Sequence, residues 1–467
     1  MSEKINLENL DAQIDRLVKQ RLIAEIVFKG ITPWWGGDYN GFTSNYVDEE
    51  EIVGRLRWFL RTVYNRFCVN NLSDYEEAER RVSEYLGSTN NKSIYTFKVR
   101  NVKVRNGNYS YLQRVSFILQ GKPRDLQDRF LPKNVDVLVL DIYSRKASNY
   151  DKIIIDGLLI TLAFLGIGKG ANRGFGRFIP INCDNLQNTV CNNIIKGDII
   201  GAFSKFYDEF KNEEKCNKVN KWIESAVPLA PLTQTSEDSI SKTGCKNSEI
   251  NTLLDIIQTA LLKSTLKENS YNMNVKDPGP FIHTWIYGLP RHSKVPRKIN
   301  QCSMDVEKDN LSVKDEEVKK LQKMGYFELN GDKLVEPRRQ SMLIISPVFD
   351  GNTYSIYVLP FLSLKDNEEE LNKLVHKGIH ITSNIIHLAS VKSILKGNNL
   401  IGTETQLINK RSDLSKGNLQ TLIVNYIREL ILNISKQCKG NTTSLKIDKS
   451  RVTSRSQGKS GGGYLRK

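Results

Sequence analysis

The chain has 467 residues, a net charge of +16 at pH 7 and an isoelectric point near 9.3. This length predicts two domains or a domain pair with insertions, and the charge favours a polyanionic partner, with nucleic acid ahead of a membrane surface. No apolar stretch reaches the roughly 20 residues of a membrane-spanning helix, and the polar N-terminus lacks a signal-peptide core, which argues against insertion and secretion.

Apolar periodicity in residues 1–182 predicts a mixed sheet-and-helix domain. The expected strands are 21–31, 94–104, 111–119, 135–143 and a last one from Phe178. The expected helices are 49–67, 75–86 and 152–165. Strand, helix, strands, helix, strand is the order of a ferredoxin-like βαββαβ sheet, the frame that RRM domains use for RNA.

A glycine-rich loop, Phe164–Phe178, lies between the last helix and the last strand of this domain. Its five glycines alternate with Lys169, Arg173 and Arg177. Glycine lets the backbone approach a ligand closely, and the cations indicate an anion held by main-chain amides and side chains. The loop has neither the Walker A pattern nor a dinucleotide fingerprint. The alternative is a tight structural connection without a ligand.

The predicted helix at 49–67 combines a buried stripe with a basic face. Arg55, Arg57 and Arg61 lie beside the stripe, and the like charges four residues apart repel each other slightly unless an anion lies between them. The face is therefore either a solvated basic surface or a contact for phosphates or a partner's carboxylates. The apolar stripe consists of Ile52, Leu56, Phe59, Leu60, Val63 and Phe67.

The second half of the chain predicts further helices around a hairpin. Residues 225–249, rich in Ser, Thr and Pro, are expected to form a linker or exposed insertion. Asp350-Gly351 predicts a tight turn between two strands. Residues 439–467 carry eight cations and one acid, and we expect a disordered basic tail. The predicted strands are 342–346 and 354–362, and the predicted helices are 194–210, 215–223, 251–266, 367–396 and 418–436.

Four segments, in order and at plausible spacing, resemble the RAMP superfamily of CRISPR effector proteins, in particular subunits of type III-B (Cmr) complexes. They are residues 32–37 (TPWWGG), 54–59 (GRLRWF), 84–89 (EYLGST) and 168–176 (GKGANRGFG). The family's loop usually carries two adjacent arginines before Gly-Phe-Gly, whereas this chain has Asn172 and Arg173. A looser resemblance in the second half rests on residues 288–291 and 338–341.

The resemblance implies an α+β fold with two ferredoxin-like (RRM-like, βαββαβ) modules, helical insertions and a disordered basic C-terminal tail. The expected domains are 1–182, a helical insertion and linker at 183–270, a second ferredoxin-like domain at 271–438 and the tail at 439–467. The expected location is the cytoplasm, because the seven cysteines form no CxxC pair, and their odd number and scatter argue against a disulfide framework and a zinc site.

The resemblance also implies a non-catalytic RNA-binding subunit without cofactor or metal. Its expected partners are CRISPR guide RNA, target RNA and the other subunits of the Cmr complex. Trp34 or Trp35 is a candidate for stacking on a base, although core packing is the alternative for one of them. The candidate RNA-binding residues are Trp34, Arg55, Arg57, Arg61, Gly168, Lys169, Gly170, Asn172, Arg173, Gly174, Arg177, Arg291 and Arg339.

Two other functions stay open at this point. His283 and His292 lie in or near a cationic segment, and either is a candidate general acid or base of a metal-independent endoribonuclease that processes guide RNA. A purely structural adaptor that binds only partner proteins is the other. The remaining histidines, His376, His380 and His387, fall in one predicted helix, where a structural role is favoured over a metal site.

Overall fold

The computed structural model describes most of the first half of the chain and parts of the second. Described in full are residues 21–37, 41–112, 115–116, 119, 124–184, 186, 189–261 and 341–365, and the helix at 416–443 has most of its side chains. Strands at 293–294, 323–330, 333–335, 374–377, 379–382 and 385–388 are described by their backbone. Arg291, Arg339, His283 and His292 lie outside the described residues.

The first module is an antiparallel sheet of four strands, in the order β2-β3-β1-β4. The strands are β1 (Arg21–Gly30), β2 (Tyr95–Asn106), β3 (Lys133–Ser144) and β4 (Phe178–Pro180). The connecting helices are α1 (Glu49–Phe67), α2 (Glu76–Leu86) and α3 (Asp151–Ile160), which continues as a π-helical turn over Thr161–Leu165. Chain order and strand order together are those of one βαββαβ module, as the sequence predicts.

Helix α1 is the central packing element of this module. The Asp48 side chain accepts a hydrogen bond from the Glu50 amide at 2.9 Å and caps the helix, and three glutamates in the first turn favour the same end. All six residues of the predicted apolar stripe are buried. The stripe packs on the sheet, on α3 and on α5 (Ile199–Glu214), which follows the short α4 (Thr189–Ile195).

The predicted strand at 111–119 is wrong. The described residues there form a helical turn, in which the Ser116 amide donates to the Leu112 carbonyl at 2.8 Å. The apolar residues of this segment recur at helical rather than alternating spacing and are buried in one small cluster with Trp35 and Phe175. They are Leu112, Val115 and Leu119.

A second antiparallel sheet has three strands in the order β5-β7-β6. They are β5 (Ser241–Asn247), β6 (Leu343–Phe349) and β7 (Tyr354–Pro360), and α6 (Ile250–Ala260) packs beside them. The predicted hairpin is confirmed, with Gly351 at φ 97° in the turn. The interpretation of 225–249 as a linker or exposed insertion is wrong for β5, because this polar segment pairs with β7 and buries Thr243 and Cys245.

The predicted helix at 367–396 is also wrong, because three short strands lie in this segment. Residues 374–377 pair with 323–330, and 379–382 pair with 385–388. Isoleucines that alternate with polar residues in this segment suit strands better than a helix. His376, His380 and His387 therefore do not share a helix face.

The last described helix, α7 (Lys416–Thr443), confirms the predicted helix at 418–436. It packs against β5 of the second sheet. It takes in the first five residues of the predicted tail, and residues 444–467 lie outside the described part of the chain. Among the helices that the structure describes, none combines the length and the apolar character needed to cross a membrane.

Six of the seven cysteines are joined in disulfides, so the sequence-based argument against a disulfide framework is wrong. The bonds are Cys68–Cys216, Cys183–Cys191 and Cys245–Cys438, with sequence separations of 148, 8 and 193 residues. Cysteines that are far apart in the sequence can be neighbours in the folded chain. Their scatter in the sequence was therefore no evidence against disulfides. The third bond links α7 covalently to β5 and so holds this helix against the second sheet.

Opening the Cys245–Cys438 bond should cost more stability than opening Cys183–Cys191. Chain entropy assigns about 5 kcal/mol to a loop of nearly two hundred residues and about 2.5 kcal/mol to one of about eight. Both pairs are buried, so Cys183→Ala/Cys191→Ala is a matched control for Cys245→Ala/Cys438→Ala. Equal losses in urea unfolding would contradict this order.

Candidate nucleic-acid interface

The glycine loop adopts a backbone that requires glycine at several positions. Its five glycines have φ between 66° and 91°, in the left-handed region that disfavours side chains. A side chain on Gly168 would also collide with the Trp35 carbonyl oxygen, 2.8 Å from an added Cβ. The glycines are Gly166, Gly168, Gly170, Gly174 and Gly176.

Most of the loop's amides are used inside the protein. The Lys169 amide donates to the Trp35 carbonyl at 2.6 Å, and the Gly176 amide donates to the Pro33 carbonyl at 2.8 Å. The amides of 171 and of 173–175 donate to carbonyls within the loop. The prediction that the amides of 168–176 cradle phosphates is wrong for these six donors, because the loop folds on itself and on residues 33–35.

Arg177 is a structural residue. Its guanidinium is fully buried and donates to the carbonyls of Phe175 at 2.7 Å and Ala171 at 2.8 Å within the loop. It also donates to the Ile345 carbonyl at 3.2 Å and to Ser346 Oγ at 3.3 Å, both in β6. The side chain therefore joins the first module to the second sheet, and the prediction that it contacts RNA is wrong because no solvent reaches it.

The two tryptophans are core residues as well. Trp34 is 1% exposed, and its Nε1 donates to the Glu51 carboxylate at 3.1 Å. Trp35 is 2% exposed, and its Nε1 donates to the Phe130 carbonyl at 2.8 Å. Neither indole can stack on a base from these positions, so the core-packing alternative holds for both.

Arg57 and Arg61 share a carboxylate of this chain. Glu79 of α2 lies between them, at 2.8 Å from Arg57 and 2.9 Å from Arg61. The Glu79 carboxylate therefore already offsets the repulsion between the two arginines, without an anion from outside the chain. Both side chains are partly exposed, and their contact with RNA stays a prediction.

The exposed part of the loop is its tip. Lys169 is exposed, and its Nζ donates to the Gly41 carbonyl at 2.9 Å, while Gly168 and Gly170 beside it are half-buried. Asn172 and Arg173 are half-buried too, and the Asn172 carbonyl accepts from the Ile345 amide at 3.0 Å. Gly174 is buried against Pro347 and Ile257, which removes it from any direct contact with a ligand.

Arg55 lies directly behind this tip. One guanidinium nitrogen donates to Asn172 Oδ1 at 2.8 Å and to the Leu165 carbonyl at 3.3 Å, and the group lies 4.5 Å from the centre of the Trp58 ring. Removal from water lowers the pKa of Arg55 to about 10. Burial also lowers the pKa of Arg177, and the charge of Arg55 adds to that effect.

These two arginines have no anionic partner among the described residues. Every acceptor of the Arg55 and Arg177 guanidiniums is a carbonyl, an amide oxygen or a hydroxyl. Charges removed from water are normally paired, because leaving them alone is costly. The side of the protein behind the loop tip therefore carries positive charge that this part of the chain leaves unbalanced.

Helix α1 adds an open glycine to this surface, which the sequence analysis missed as a site residue. Gly54 is exposed, one turn after Glu51 and next to Arg55, and an added Cβ would meet nothing within 4 Å. Glycine inside a helix costs about 1 kcal/mol relative to alanine. The sequence signals were its place in a predicted helix and at the start of the segment 54–59 that carries the resemblance. We call Gly54, Arg55, Gly168, Lys169, Gly170 and Asn172 the loop–helix surface.

The open face of the first sheet is not an RRM-type platform. Arg100 of β2 lies there between Glu25 of β1 at 2.5 Å and Asp141 of β3 at 3.3 Å. RRM domains instead stack bases on aromatic residues of this face. The carboxylates oppose phosphate, so the loop–helix surface is the better candidate. No group of three metal-ligating side chains comes together in the described part of the chain.

Comparison with known proteins supports the family. Residues 27–179 match the family described as the RAMP superfamily, which confirms the resemblance noted in the sequence. The matched segment includes the loop–helix surface. No curated protein matches the chain.

Three solved structures are similar to the chain at low identity. A chain of type III-B Cmr-beta bound to cognate target RNA and AMPPnP, in the presence of ssDNA, is 14% identical, with a TM-score of 0.46 over 74% of this chain and 96% of that one. A second Cmr-beta structure, bound to cognate target RNA, has 13% identity and a TM-score of 0.44, over 86% and 99% of the two chains. Apo Cmr1 from Pyrococcus furiosus has 14% identity and a TM-score of 0.40, over 83% and 96%.

The Glu51 carboxyl beside the loop should make stability depend on pH. Burial raises its pKa from 4.5 to about 7, against the hydrogen bond from Trp34 and the charge of Lys169, which lower it. The folded state therefore binds the proton more tightly, so this contribution to stability is complete below pH 4.5 and is lost as the pH rises through about 7.

Between pH 5 and 8 the wild type should lose about 2–3 kcal/mol relative to Glu51→Gln, measured by urea unfolding. The side-chain amide of this variant would still accept the hydrogen bond from the indole. Glu50→Gln, which removes an exposed carboxylate from the same turn, is the control. A constant difference between wild type and Glu51→Gln across this range would contradict the buried acid.

Proposed function

We propose that this protein is a non-catalytic RNA-binding subunit of a type III-B CRISPR ribonucleoprotein, and that the loop–helix surface grips the sugar–phosphate backbone. One observation carries the proposal: Arg55 and Arg177 lie behind the loop tip without a carboxylate partner among the described residues. A phosphate strand across the tip supplies the missing negative charge. The match to the RAMP superfamily supports the same function.

The chemistry at the tip suits phosphate better than a partner's carboxylate. Gly168 and Gly170 are half-buried, so the main chain on both sides of Lys169 is partly exposed and a strand can come close to it. Glu51, whose pKa lies near 7, offsets only part of the charge of Lys169 and the two arginines at neutral pH. The loop therefore binds by charge and close approach, without reading bases.

Gly54 gives the proposal a second, independent support. No atom of the described part of the chain would hinder a side chain at this position, although glycine makes the helix less stable than alanine would. A ligand backbone that passes over α1 accounts for the missing side chain. Gly54 and the loop tip flank Arg55, which places all of them under one strand.

Within the complex we assign the chain the role of the first Cmr subunit, at the guide 3′ end, where it assists the docking of target RNA in antiviral defence. Its partners are then guide RNA, target RNA and the neighbouring Cmr subunits, in the cytoplasm. Three disulfides suit that location in organisms with disulfide-rich intracellular proteins, such as hyperthermophilic archaea. Base pairing between guide and target supplies sequence specificity, and the protein supplies phosphate contacts.

We also propose that the second half of the chain contains a second ferredoxin-like module. Its elements follow each other as β5, α6, β6, β7 and α7, and the strand order β5-β7-β6 repeats the order of the first three strands of the first module. A fourth strand beside β5 would complete the βαββαβ pattern.

Lys169→Ala should weaken the binding of single-stranded RNA about fivefold at 0.1 M salt. The loss of one phosphate contact removes about 0.7 from the slope of log affinity against log salt, which gives this factor at that concentration. The measurement is a fluorescence-anisotropy titration of single-stranded RNA with full-length protein. It is repeated at salt concentrations between about 0.05 and 0.3 M, because log affinity falls linearly with log salt concentration. Lys196→Ala, which removes an exposed lysine between α4 and α5, is the matched control.

Two results would count against the proposal. Equal affinities of Lys169→Ala, Lys196→Ala and wild type would remove the loop tip from the site. A wild type that does not bind RNA at all, but copurifies with sibling subunits after nuclease treatment, would indicate the protein adaptor. Cleavage of labelled repeat RNA by pure protein in EDTA would indicate the endoribonuclease.

Substitutions at Gly54 should move stability and RNA affinity in opposite directions. Gly54→Ala should raise the free energy of unfolding by up to about 1 kcal/mol, because the site is helical and open. Gly54→Gln, a good helix former with a neutral side chain, should keep most of this gain and weaken RNA binding severalfold by blocking close approach. Unchanged affinity for Gly54→Gln would place the strand away from α1.

A further inference from the structure

A second concentration of positive charge lies at the C-terminal end of α2. Gly87, at φ 73°, ends this helix, and the chain turns back into β2. Backbone hydrogen bonds between Ser88 and Asn91, at 2.8 and 3.3 Å, close the turn. Beside it lies a shallow cavity of ≈ 440 Å³ that is wide open to solvent.

The lining of this cavity suits an anion. Three cations face it, Arg57, Lys92 and Arg145, together with the polar residues of the turn, and no aspartate or glutamate lines it. Lys92 and Arg145 are exposed, and among the described residues neither forms an ion pair. The two are therefore available to a ligand that enters from solvent.

Arg57 is held in place beside the cavity by the main chain. One of its terminal nitrogens donates to the carbonyls of Leu86 at 2.8 Å and Gly87 at 2.6 Å, and the other donates to Glu79. Glu79 also forms an ion pair with Arg61. Its single negative charge is shared by two guanidiniums, so this group of three side chains keeps a net charge of one positive unit. A charge fixed in this way needs no reordering when an anion binds.

The position of the cavity relates it to the loop–helix surface. Arg55 and Arg57 are two residues apart on α1, which turns by about 100° per residue, so they point to opposite flanks of the helix. One holds the loop and the other braces the turn after α2. A strand that crosses α1 at Gly54 can therefore reach both sites, over a distance on the order of the 10–12 Å helix diameter.

We propose that this cavity binds a phosphate group of single-stranded RNA, as a second contact on the strand that the loop–helix surface holds. The inference rests on the proposed function for the identity of the ligand, but the cavity residues are different ones. A free mononucleotide offers the same phosphate chemistry and is the competing source.

The test compares two double variants that each remove two exposed cations. Lys92→Ala/Arg145→Ala should weaken single-stranded RNA binding about fivefold at 0.1 M salt and reduce the salt slope by about 0.7, the value of one phosphate contact. Lys196→Ala/Lys221→Ala makes the same change in net charge away from the cavity and should leave both quantities close to wild type. AMP binding to full-length protein is measured in parallel by equilibrium dialysis.

The possible outcomes separate the two proposals. If Lys92→Ala/Arg145→Ala matches its control while Lys169→Ala still weakens RNA binding, this inference is overturned and the proposed function stands. If AMP binding is lost in Lys92→Ala/Arg145→Ala while RNA binding is unchanged, the cavity serves a free nucleotide and this inference is likewise overturned. If wild type binds no RNA, both proposals fail.

Discussion

The architecture depends on one buried cation. Arg177 has no solvent access, and its guanidinium holds the glycine loop through the carbonyls of Phe175 and Ala171 and the second sheet through Ile345 and Ser346. The loop cannot be rearranged without breaking hydrogen bonds of a buried charge, which is among the most costly changes in a protein interior. The base of the loop is thus a fixed connection between the first module and the second sheet.

This constraint divides the loop into a base that connects the two sheets and a tip that stays exposed. Its base is the structural connection, with amides bonded internally and Gly174 and Phe175 packed between the modules. Its tip is the part available to a ligand. Because Arg177 is buried and Arg55 is half-buried for structural reasons, their charge is held behind the tip before any ligand arrives, as the proposed phosphate contact requires.

Particular elements show where sequence reasoning succeeded and where it failed. Helix α1 was predictable to its ends, because a capping aspartate, an acidic first turn and an apolar stripe at helical spacing all agree. The segment at 111–119 failed because the helical spacing of its apolar residues was taken for a strand, and the segment at 367–396 failed because alternation was taken for a helix. Two of the three disulfides and the carboxylate shared by Arg57 and Arg61 were missed for another reason: they join residues distant along the chain.

The sequence by itself determined the strands and helices of the first module apart from residues 111–119, the positive-φ glycines, the RAMP resemblance and the positive charge, because propensity, periodicity and composition are local properties. Only the tertiary structure decided which cations of that loop face solvent, that Trp34 and Arg177 lie in the core, and that Arg55 lacks a carboxylate among the described residues. Burial and charge pairing depend on what the fold places next to a side chain, and no local pattern contains that information.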